Sequence, residues 1–122
     1  MEEKLRRFYN IDEVKKKEEI IKLTANQIIK DFGVFGMEVN FSGIVRYAYD
    51  ELYKQLEVFI DELMNRNPEK LQSLLYHIDL NEKDLRALLY SDELSATAVT
   101  EKVLDREFFK VLTRIYFKEQ GI

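Results

Sequence analysis

The chain has 122 residues, of which 46% are hydrophobic and 34% charged, with a formal net charge of −4. One domain with a continuous apolar core fits that length, and 8 Phe with 7 Tyr exclude intrinsic disorder. The 4 Gly and single Pro exclude collagenous and turn-dense β classes, and the absence of Cys excludes disulfide frameworks, zinc knuckles and thiol nucleophiles.

The segment Met1–Arg7 is charged and lacks the apolar run of a signal peptide. No stretch approaches the ~18 apolar residues of a membrane span. A soluble, cytoplasmic protein is therefore the expectation, with no membrane partner. Charge is uneven along the chain. Residues 1–30 carry eight Lys/Arg against six Asp/Glu, 31–100 six against thirteen, and 101–122 five against four. The acidic middle would repel a phosphate backbone, so nucleic acid is not an expected partner. The only basic patch legible in the sequence is Lys4, Arg6, Arg7, Lys15, Lys16, Lys17 and Lys22. Acidic residues interleave it, so a solvated helix face explains it.

In chain order, Asn10 with Glu13 resembles a capping box and starts a first amphipathic helix over about 11–32. Val14, Ile21, Ala25, Ile28 and Phe32 form its apolar stripe, and Gly33 is the natural stop. Residues 33–43 contain three glycines, and Met37, Val39 and Phe41 alternate with Glu38 and Asn40. With no partner strand in the sequence, the reading is a short extended connector near 33–41 that presses Phe35, Met37 and Phe41 onto the core. A second helix is expected from about Ser42 to Asn65. One seam reads Val45, Leu52 and Phe59 and another Tyr49, Leu56 and Leu63. So wide a face predicts the central helix of a bundle.

Asn67-Pro68 starts a third, short helix that buries Leu71, Leu74, Leu75 and Ile78. Asn81 with Asp84 starts a fourth, carrying Leu85, Leu88 and Leu89. Residues 91–97 read as a link. The last helix spans about 98–119, with Leu104, Phe108, Val111, Leu112 and Ile115 on one face. The predicted fold is thus a single all-α domain over 1–122, a bundle of four to five helices, two long and two short.

Few residues suggest chemistry. His77 is the only histidine and Asp79 follows it, but two residues apart on a helix they point to different sides. A helix-end histidine near the C-terminal dipole is the simpler reading. One His, no Cys and no Glu-x-x-His remove the usual zinc and di-iron sets, so neither metal nor cofactor is expected. Asp31-Phe32-Gly33 matches the kinase metal-binding triplet, yet the chain is too short for a kinase and has no phosphate loop. Residues 68–90 have helix-turn-helix spacing, but the second helix offers only Lys83 and Arg86 against Glu82 and Asp84.

The aromatic content is the remaining signal. If Leu104, Phe108, Val111 and Ile115 complete the buried face of the last helix, then Phe109, Tyr116 and Phe117 are the candidate interface residues. A homodimer follows as the expectation, with the first helix or the connector as the alternative cover. The functional expectation is a non-enzymatic protein-interaction or assembly module acting on itself or another protein. The alternative is a small ligand-binding or hydrolase-like protein using His77 and carboxylates gathered from different helices.

Overall fold

Side-chain caps set the starts of four helices. Asn10 accepts from the Glu13 amide at 3.3 Å, Asn67 from Lys70 at 3.1 Å, Asn81 from Asp84 at 2.8 Å and Ser95 from Ala98 at 3.1 Å. Each satisfies an amide that the helix itself leaves free. The computed structural model describes residues 1–90 and 94–121. Among these residues the chain forms seven α-helices, one 3₁₀ turn and no strand. The helices are α1 (Glu2–Phe8), α2 (Ile11–Lys15), α3 (Glu18–Val34), α4 (Ala48–Arg66), α5 (Pro68–Ile78), α6 (Glu82–Leu89) and α7 (Ala96–Glu119), and the 3₁₀ turn is Val45–Tyr47. None is long and apolar enough to cross a membrane.

The all-α class holds, but the count of four to five helices rises to seven for two reasons. First, the segment ahead of Asn10 is itself a helix. Glu2 and Glu3 open α1 and Arg6 and Arg7 close it, matching the helix dipole at both ends, while Leu5 is buried. Second, the helix expected over 11–32 breaks at Lys16–Lys17. Lys15 closes α2, Glu18 and Glu19 open α3, and Lys17 between them is extended. The Tyr49 hydroxyl donates to the Lys15 carbonyl at 3.1 Å, satisfying one acceptor freed by the break.

The stop expected at Gly33 falls three residues later. Gly33 stays inside α3, and Gly36, at φ 78, makes the left-handed turn that returns the Met37 amide to the Phe32 carbonyl at 3.1 Å. The connector then behaves as its alternation predicts: Met37 and Val39 are buried, Phe41 is half-buried, and Glu38 and Asn40 are exposed. No strand pairs with it. Instead Gln55 of α4 accepts from the Asn40 amide at 2.9 Å and donates to its carbonyl at 2.7 Å. Glu51 accepts from the Ser42 amide and hydroxyl at 2.6 and 2.7 Å. With Ser42 so held and Gly43 at φ 88, the helix expected from Ser42 begins only at Ala48, after the 3₁₀ turn.

Residues 91–93 of the expected link, and the side chain of Leu89, lie outside the described residues. The last helix starts at Ala96, two residues earlier than its periodicity suggested, because Ser95 supplies the cap. It is α7, not α4, that occupies the centre. It packs against α1, α3, α4, α5 and α6. A large aliphatic core joins Leu52, Leu56 and Ile60 of α4 to Leu74 and Leu75 of α5 and Val99 and Val103 of α7. A second, smaller cluster places Leu5, Val14 and Ile20 over Phe108, Phe109 and Leu112. α3 and α7 contribute to both, α3 through Ile20 in the smaller cluster and through Ala25, Ile28 and Phe32 in the larger.

Candidate functional site

The apolar stripe of α7 passes through Leu104, Phe108 and Val111, and on that spacing Glu107 occupies a position an apolar residue would take. It is 0% exposed. In α3 the stripe Thr24, Ile28 and Phe32 is likewise joined by Asp31, 4% exposed. The two helices pack together, so the two carboxyls meet. Lys110, one turn beyond Glu107, places Nζ 2.5 Å from Asp31 Oδ2 and 2.8 Å from Glu107 Oε1. Gln27 donates to Asp31 Oδ1 at 3.0 Å from one turn earlier on α3. From α5, His77 brings Nε2 to 3.4 Å of the same oxygen and rests edge-on against Phe35.

Electrostatics divides the two acids. Burial alone would raise the pKa of Asp31, but hydrogen bonds from Glu107, Lys110 and Gln27 outweigh it and hold the carboxyl below its ordinary value. Burial, and next its hydrogen bond to Asp31, push Glu107 up from 4.5 to about 8. At neutral pH Glu107 therefore keeps its proton and donates it toward the Asp31 carboxylate. Lys110 lies close to Glu107 without hydrogen-bond alignment, so neither Glu107 oxygen accepts an aligned donor. The junction holds one proton between two acids and one fixed cation beside them.

His77 thus meets carboxylates from two other helices, one directly and one through Asp31. Asp79, its neighbour in sequence, instead accepts from Arg106 Nε through its carbonyl at 2.7 Å. None of the five network side chains is a hydroxyl or thiol nucleophile. Among the described residues no group of three or more His, Cys, Asp or Glu side chains is placed to hold a metal. In the helix-turn-helix segment Arg86 binds Glu82 at 2.7 Å, which ties up one of the two cations on its second helix.

The three candidate interface residues separate. Phe109 is fully buried in the chain: α1 covers it, with Leu5 in the same cluster and the Arg6 guanidinium 4.6 Å from the ring centroid. Tyr116 is also buried, beneath Lys4 and Phe8. The first helix is the cover for both, so neither leaves surplus apolar surface on the single chain. Phe117 alone stays exposed, at 36%. Sequence reasoning missed Phe8, 54% exposed, whose ring meets Tyr116 edge-on at 5.1 Å while Tyr116 meets Phe117 at 5.6 Å. Phe8, Tyr116 and Phe117 form one aromatic surface where α1 crosses the end of α7. Tyr9 anchors that crossing by donating to Glu119 at 2.8 Å. No known family model, curated protein or solved structure matches this chain.

Proposed function

We propose that this protein is a small, non-enzymatic helical module that assembles with a second copy of itself through the Phe8–Tyr116–Phe117 surface. The observation that carries this reading is the pair of exposed phenylalanines flanking one buried tyrosine in edge-to-face contact. Aromatic residues are enriched at interfaces, where they bury large area at low entropic cost. The rim supports a second copy over a strongly charged partner. Lys4 lies over the Tyr116 ring and Glu119 is held beside it by Tyr9, so a two-fold contact can set each sign against its opposite. Sedimentation at tens of micromolar should give a dimer in the wild type and a monomer in Phe8→Asp and in Phe117→Asp, each with unchanged helical content. A wild-type monomer overturns the reading. Phe109→Asp is not a usable test, because it places a charge inside the fold. The cytoplasm, a reducing compartment, suits a chain with no cysteine.

The meeting of His77, Asp31 and Glu107 supports a second reading, a ligand- or proton-binding protein. With no hydroxyl or thiol nucleophile in the network, it favours binding over hydrolysis. A pH titration of His77 and Glu107 by NMR tests it: coupled transitions support the reading and independent ones remove it.

A further inference from the structure

Above the buried acid pair, α3 and α7 leave a cleft of about 310 Å³ lined by Gln27, Lys30, Arg106, Lys110, Thr113 and Arg114. Four of these six side chains are cations and none is a carboxylate, in a chain whose net charge is −4. Lys30 and Arg114 make no ion pair among the described residues. Arg106 is held at the lip by Asp79, and Lys110 forms the floor, held by Asp31 and Glu107. The long basic side chains thus converge from two helices on one concavity. Its size is at the lower end of small-molecule sites, with room for a phosphoryl group and a short carbon skeleton.

We propose that this cleft binds the doubly charged phosphoryl group of a small phosphorylated molecule, and that binding is coupled to the proton held by Glu107 through Lys110. With Glu107 protonated, the floor presents Lys110 balanced by Asp31 alone, and the two unpaired cations above it attract a dianion. Ionised Glu107 places a second negative charge 2.8 Å from Nζ and cancels the positive field at the floor. Asp31 from α3 and Lys110 from α7 meet Glu107 directly, His77 from α5 reaches it through Asp31, and Lys30, Arg106 and Arg114 line the cleft, with Asp79 after α5 paired to Arg106. Burial and the hydrogen bond to Asp31 raise Glu107 to about 8. By linkage an anion in the cleft tightens the hold on that proton, and the proton tightens the hold on the anion. The site shares no residue with the Phe8–Phe117 surface, so it stands or falls apart from self-association.

Sulfate is the first probe, because its charge stays at two across the range. At fixed ionic strength and pH 7, NMR titration should show saturable shifts at Lys30, Lys110 and Arg114 with a Kd of about 1 mM. From pH 7 to 9 the affinity should fall about tenfold in the wild type and stay level in Glu107→Gln, which keeps the shape of the protonated acid. Lys30→Gln with Arg114→Gln should weaken sulfate about tenfold, with the melting curve unchanged. Soluble glycerol 3-phosphate should compete with sulfate. A linear, unsaturated response overturns the site, and a pH dependence that persists in Glu107→Gln overturns the coupling. Capture by phosphatidic acid vesicles without competition from glycerol 3-phosphate overturns the small-molecule assignment in favour of a membrane surface.

Discussion

Leu56 and Glu107 are equally dry, at 0% exposure each, on the two helices that pack most extensively together. Leu56 lies in an apolar cluster with Leu52, Ile60, Leu74 and Phe32, and its stability contribution is the apolar area withdrawn from water, which no change of pH alters. Around Glu107 the same degree of burial is tolerated only because a proton, a lysine and a second carboxyl are placed to share the charge. One region is held by area and the other by protonation. Their responses to substitution and to pH should therefore diverge.

The largest effect is expected from Lys110→Met. It leaves the Asp31 carboxylate buried without its cation, at a cost of about 3–5 kcal/mol near neutral pH. Because Asp31 can take up a proton in acid, the loss should shrink toward pH 3, as chemical denaturation at both pH values will show. Next, Leu56→Ala should cost about 2–5 kcal/mol through lost transfer energy and the cavity left behind. That loss should be the same at pH 5 and pH 9. A Leu56→Ala loss that varies with pH would join the two regions and defeat the comparison.

The pH profile of the wild type sharpens the contrast further. Glu107 ionises near 4.5 in the unfolded chain and near 8 when folded. The stability it contributes is complete below 4.5 and is lost as pH rises to about 8. Asp31 acts in the opposite sense: its folded pKa is lowered, so its contribution is present above 3.8 and lost as pH falls below that value. The junction should therefore be at its most stable near pH 4–5. In Glu107→Gln, thermal melts should lose the decline between pH 4.5 and 8 and keep the acid limb. The smallest effect on the fold belongs to Phe117→Asp, within about 0.5 kcal/mol in dilute monomer, since the side chain faces solvent. An unfolded Phe117→Asp would mean that the α1–α7 end depends on this ring.

Helix identity was legible wherever a cap and an apolar stripe agreed. Asn67-Pro68 and Asn81 marked α5 and α6 to the residue, and Leu71, Leu74, Leu75 and Ile78 lie buried as their spacing requires. The alternation of the connector was also correct, though its partner is a pair of α4 side chains and not a strand. α1 was legible in principle. Its Glu-Glu and Arg-Arg ends match the dipole, and Leu5 and Phe8 sit one turn apart, but seven residues carry too little periodicity to stand out. The candidate site had a fainter trace: carboxylates at Asp31 and Glu107 on positions of an apolar stripe.

The sequence by itself determined the all-α class, the cap positions and the aliphatic seam, because those depend on residues within one or two turns of each other. Tertiary structure alone decided that α7 is the hub, that α1 covers Phe109, and that His77 pairs with Asp31 while Asp79 goes to Arg106. Asp31 and Lys110 are 79 positions apart, and no local pattern encodes that distance. A buried charge is tolerated only where another element brings its partner. The proton on Glu107 is therefore a property of packing, set when α3 and α7 close on each other and exclude water.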